Sequence, residues 1–84
     1  MIRYLILAIR YDNFDPAVIE PHKQYLATLK NQGKLDLSGP FTDKSGGAYT
    51  ILAENYEAAK NIAFNDPLYT YQASDITVYE WDIS

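Results

Sequence analysis

The only histidine of the chain, His22, stands in the run Pro21-His22-Lys23-Gln24-Tyr25-Leu26. An imidazole is the side chain best suited to moving protons near neutral pH, as a base when neutral and as an acid once protonated. Two readings of His22 are open: a proton-transfer group, or a partly buried helix residue whose ring is satisfied by its neighbours. Asp66 also reads in two ways. An aspartate before proline caps a following turn, here Pro67 to Tyr71. It also falls on the inward stripe of a helical segment with Ala59, Ile62 and Ala63, where a carboxylate near a helix C-terminus opposes the dipole and calls for a cationic or hydrogen-bonding partner. His22 is a candidate for that partner, although the sequence alone does not bring the two together. A carboxylate within reach would fix the tautomer of the ring and stabilise its protonated form.

Ser38-Gly39-Pro40 offers a hydroxyl and a backbone that a ligand can approach closely, so Ser38 and Gly39 are read as substrate-binding. A strand-ending turn accounts for the same three residues. Asp36 has the strand parity of Ser38, so the two are expected to share a face, towards either solvent or a pocket. Tyr4, Tyr25, Tyr49 and Tyr79, four of eight tyrosines, are suited to aromatic pocket walls with polar tips or to interface packing.

The elements that must position these groups follow from hydrophobic pattern and turn residues. Ile2 to Arg10 is nearly continuously apolar, as a strand buried on both faces would be. Asp15-Pro16 starts a short helical turn. Pro21 takes the favoured first position of a helix that runs to about Gln32, with Gly33 as its left-handed stop and Tyr25, Leu26 and Leu29 as its apolar stripe. Leu35–Pro40 and Ala48–Ala53 form a hairpin around the polar turn Phe41–Gly47. Asn55 caps a second helix, and Ser74 to Trp81 alternates as a last strand, with Ile76 and Val78 on one face and Thr77, Tyr79 and Trp81 on the other.

This order, βαββαβ, predicts an α+β, ferredoxin-like fold: an antiparallel sheet with two helices on one face, in a single domain spanning residues 1–84. The other sheet face carries apolar and aromatic residues, and the expected cover is a second copy of the chain, giving a homodimeric α/β barrel. An 84-residue chain buries only about 60–65% of its unfolded surface, so ordering and pairing are expected to be coupled.

Composition narrows the function classes. The net charge is −4 and the seven basic residues are scattered, so no nucleic-acid partner is expected. The absence of cysteine removes disulfides, thiolate nucleophiles and thiolate metal sites, and with one histidine a zinc site would need mostly carboxylate ligands. Neither metal nor cofactor is expected. The apolar run Tyr4–Ile9 is too short to span a bilayer and lacks a secretory cleavage pattern, so no membrane association and a cytoplasmic location are the default.

The stretch Pro21-His22-Lys23-Gln24-Tyr25-Leu26, followed by Leu29, Gly33, Leu37-Ser38-Gly39-Pro40-Phe41 and Asp66-Pro67, resembles the YciI-like (YCII-related) family, over nearly the whole chain and in the same element order. The resemblance implies a dimeric ferredoxin-like protein with a histidine/aspartate centre, mapped here onto His22 and Asp66. One branch of that family is a dehydrochlorinase acting on chlorinated hydroxyhydroquinones, while most members have no assigned substrate. The chain lacks the longer loop that many members carry between the second and third strands, here only Thr42 to Gly47. The expected function is a small-molecule enzyme: His22 as general acid/base and Asp66 orienting it, for proton transfer, isomerisation or elimination on a small cyclic compound. The alternative is a non-catalytic dimeric module that binds a ligand or a protein. A haem- or oxygen-using barrel would need His22 as an axial ligand, and no sequence feature beyond the shared architecture supports it.

Overall fold

The computed structural model describes residues 1–83. Its elements are β1 (Ile2–Arg10), a 3-10 turn (Pro16–Val18), α1 (Ile19–Asn31), β2 (Leu35–Pro40), β3 (Gly46–Ala53), α2 (Tyr56–Ala63), α3 (Pro67–Thr70) and β4 (Ser74–Glu80). The sheet order is β2-β3-β1-β4 and every neighbour is antiparallel. This is the ferredoxin-like α+β arrangement expected from the element order.

Two boundaries differ from the expectation. The first long helix starts at Ile19, not at Pro21, because the 3-10 turn capped by Asp15 runs directly into it. Pro21 is tolerated there because it lies in the first turn, where its missing N–H forfeits no bond within α1. The third strand starts at Gly46, not Ala48. Gly46 and Gly47 pair with Ile9 and Ala8 of β1, and having no side chains lets Gly46 close on β1 and Gly47 on Gly39 and Pro40 of β2.

Strand register sorts side chains onto two faces. Tyr4, Ile6 and Ala8 of β1 share one face with Tyr49, Ile51 and Ala53 of β3 and Val78 of β4, all buried. Leu29 of α1 and Ala59 and Ala63 of α2 pack onto that face and complete the core. The row Pro40, Gly47, Ala8, Ile76 crosses the same face of the sheet, and three of its members are small or cyclic. A hollow results under the start of α1.

The opposite face presents half-buried Leu5 and Leu7 together with exposed Ile9, Tyr79 and Trp81. Trp81 stays in register beyond β4, its amide donating to the Arg3 carbonyl at 3.0 Å. A shift in β2 between Leu35 and Ser38 changes the parity there, and the Leu37 amide that it frees donates to Thr50 Oγ1 at 3.0 Å. Asp36 therefore does not share a face with Ser38, as simple alternation predicts. It is ion-paired with Arg3 at 2.8 Å, on the open-face side of β1. Among the described residues no helix is long and apolar enough to cross a membrane.

The close approach at the start of β3 generates a stability prediction. A Cβ at Gly46 would lie 2.0 Å from the Ala8 carbonyl oxygen, a backbone atom that cannot yield without moving β1. Gly46→Ala is expected to destabilise the fold by about 1–3 kcal/mol, as overpacking typically does. Denaturant midpoints of the two proteins measure it.

Candidate active site

Three elements converge on one buried carboxylate. Asp66 is fully enclosed in the turn between α2 and α3, and it caps α3 by accepting the Leu68 amide on Oδ1 at 2.8 Å. Asp66 thus caps α3 while standing just past the end of α2, where the expected need for hydrogen-bonding partners is met. Tyr49, pointing up from β3, donates its hydroxyl to Asp66 Oδ2 at 2.9 Å. His22, in the first turn of α1, places Nδ1 at 2.9 Å from Oδ1 and 3.0 Å from Oδ2. A carboxylate withdrawn from water needs such donors, and Asp66 has three.

The arrangement assigns the imidazole proton. A carboxylate facing Nδ1 accepts from it, so Nδ1 carries a hydrogen and Nε2 is the ring nitrogen not engaged by Asp66. The ring is partly accessible, at 18% of its side-chain surface, and lines the hollow under α1. The orientation of the ring in the cleft is thus set from behind by Asp66.

Tyr25 helps to hold this geometry. It lies one turn beyond His22 on α1, and its hydroxyl donates to the Ile62 carbonyl in the last turn of α2 at 2.6 Å. The bond adds a side-chain donor to a carbonyl that the Phe64 and Asn65 amides also approach, and it ties the helix bearing His22 to the segment leading into Asp66. Burial, and next the negative charge of Asp66, push the Tyr25 hydroxyl above its ordinary pKa.

The cleft has a volume of about 440 Å³, within the range of small-molecule sites. Ala8, Gly47 and Pro40 form its floor, and Leu26, Leu68, Phe14 and Ile19 form apolar walls. Ser38 and Gly39 both line it, with Ser38 opposite Tyr49 in the sheet. Arg10, Lys23 and Ser74 also line it, and none of these was singled out from the sequence as a site residue. Arg10 carried a usable signal: it is the one charged residue on the inward parity of β1, in line with Tyr4, Ile6 and Ala8. The Tyr49–Asp66 bond left no such trace, because it depends on where the α2–α3 turn meets the sheet. Among the described residues no three of His, Cys, Asp or Glu gather as a metal-binding group.

Tyr49 gives the site a measurable pH signature. Burial first, then the charge of Asp66 and the hydrogen bond to it, push the hydroxyl far above the ordinary tyrosine value of 10.0. Below that value the folded and unfolded chains both hold the proton, and above it only the unfolded chain releases it, so stability falls as pH rises. In Tyr49→Phe the alkaline loss is expected to be shallower, while neutral-pH stability drops by about 1–3 kcal/mol as Asp66 loses a donor. Urea denaturation across the alkaline range reads both effects.

Comparison with known proteins places this geometry in a family. A sequence profile of the YCII-related domain matches residues 2–82. The chain is 36% identical over 83 residues to the uncharacterized protein YjpA of Bacillus subtilis (strain 168), covering 99% of this chain and 98% of that one. Its fold is similar to that of 5-chloro-2-hydroxyhydroquinone dehydrochlorinase from Burkholderia phenoliruptrix AC1100, solved in complex with 2,5-dihydroxybenzoquinone. That match has a TM-score of 0.77 and 19% identity, and covers 98% of this chain and 95% of the other. With the profile running almost from end to end and a full-length relative at 36% identity, the chain belongs to the YCII-related family.

Proposed function

We propose that the protein is an acid–base enzyme acting on a small cyclic compound, with His22 as general base and acid and Asp66 as the residue that orients it. The observation that carries this reading is the His22 ring held at Nδ1 by a fully buried carboxylate while His22 itself lines a cleft of small-molecule size. Nε2 takes a proton from an acidic carbon or hydroxyl of the ring, and Asp66 stabilises the imidazolium that forms. In an elimination, the electron pair of the broken C–H bond becomes a new C=C bond while the leaving group departs with its own pair. In an isomerisation, the imidazolium returns the proton at another position. Ser38 and the Gly39 backbone bind the substrate at the β2 side.

Positioned acid–base groups supply roughly 10²–10⁴ in rate, which suits a substrate that is already activated. The fold similarity to a dehydrochlorinase solved with a six-membered dihydroxyquinone supports a hydroxylated, halogenated ring as the first compound to try. With 5-chloro-2-hydroxyhydroquinone, chloride release is expected from the unaltered protein. His22→Ala should lower it to the uncatalysed rate, and Asp66→Asn should lower kcat by about 10²-fold or more. Equal chloride release from the protein and from His22→Ala would remove the catalytic role and leave a binding module.

The working form is proposed to be a homodimer joined through the open sheet face. Leu5, Leu7, Ile9, Tyr79 and Trp81 form an apolar strip at the middle of that face. A two-fold copy of the same strip is its natural complement, and the family resemblance implies the same pairing. Sedimentation velocity is expected to give a dimer that weakens in Trp81→Glu, and a folded monomer at high concentration would refute it.

A further inference from the structure

The two arginines of the chain are used differently. Arg3 is clamped by Asp36, with Nε at 3.0 Å and Nη2 at 2.8 Å from the same carboxylate oxygen. Arg10 has no ion-pair partner among the described residues and instead lies 4.2 Å from the centre of the Phe14 ring, which fixes its plane at the end of the cleft. Opposite Arg10 in the β1–β4 ladder stands Ser74, which is 2% exposed. Its enclosed hydroxyl has no hydrogen-bond partner among the described residues, and the residue lines the same cleft. An enclosed hydroxyl is normally satisfied, and this one neighbours an unpaired guanidinium.

Charge points the same way. The chain carries eleven acidic and seven basic residues, yet among the described residues Arg10 and Lys23 line the cleft and no carboxylate does. Asp66 stands behind His22 and Tyr49, its oxygens occupied by their donors. An acidic protein thus concentrates two cations, neither ion-paired among the described residues, at the cleft that holds the candidate base.

We infer that Arg10 and Ser74 form an anion subsite, so that the substrate class is a small ring carrying an anionic oxygen, held at Arg10 while the opposite edge of the ring meets His22. The inference rests on the cleft being the working site and names what it takes. The bound oxygen accepts from the guanidinium and from the Ser74 hydroxyl, and Lys23 at the mouth attracts the anion into the cleft.

Two matched pairs of probes test it: benzoate against benzamide, and tropolonate against tropone at mildly alkaline pH. NMR shift titrations follow the ring signals of His22 and the Nε–H signal of Arg10. The anionic member of at least one pair is expected to bind about tenfold or more tightly than its neutral partner. The pair that shows the larger preference identifies the oxygen as a carboxylate or as a ring oxyanion. Arg10→Met should abolish the preference, Ser74→Ala should weaken it, and His22→Gln should retain it. The comparison within the unaltered protein needs no variant, so it stands even if Arg10→Met fails to fold. Equal binding of both members of each pair, a preference that survives in Arg10→Met, or no binding of any probe in the cleft would overturn the subsite. Turnover reads the role of His22 and binding reads that of Arg10, so either can fail alone.

Discussion

A carboxylate removed from water costs several kcal/mol unless hydrogen bonds replace its hydration, and Asp66 is completely enclosed. Its donors come from the first turn of α1, the middle of β3 and the start of α3. Each of these elements must therefore stand at a fixed distance from the same point. α3 is a single turn, and these bonds act beside the buried Leu68 and the Tyr25–Ile62 tie in defining how the α2–α3 turn sits on the sheet. One ionised group sets the relation of three elements, and the orientation of the imidazole comes with it.

The remaining architecture divides into a packed half and a hollow half. Towards the start of β1, Tyr4, Ile51, Leu29 and Ala59 fill the space between sheet and helices. Towards its end the inward residues shrink to Ala8, Gly47 and Pro40, and the space stays open as the cleft. Apolar burial in the first half holds the sheet and helices together, while the second half keeps an open cleft. The Asp66 cluster stands at the boundary, where burial withdraws the carboxylate from water and the cleft admits a ligand to the ring.

Much of this was legible in the residues, for physical reasons that differ from element to element. The alternation of Ser74 to Trp81 and the cap at Asn55 are local signals, and the structure follows both. The start of α1 was misplaced because a rule about the residue before proline competes with helix continuity, and continuity wins when the proline lies in the first turn. The parity of Asp36 failed at a strand irregularity whose compensation, the Thr50 hydroxyl, lies on another strand. His22 and Asp66 stood out by residue type, but their meeting depends on a helix-to-turn distance that no local pattern encodes. The pairing of Tyr49 with Asp66 was invisible for the same reason.

The floor of the cleft is backbone from hydrogen-bonded strands, and the turn from β2 to β3 is short. A pocket roofed by a long loop can swell around an oversized guest. This one has a base that cannot retreat, because displacing Gly47 or Ala8 would break the ladder. Selectivity by size should therefore behave as a threshold and not as a gradual decline. Widening the cleft would fall to trimming Leu26, Leu68 or Phe14 on the walls, leaving the side chains of the His22–Asp66 pair in place.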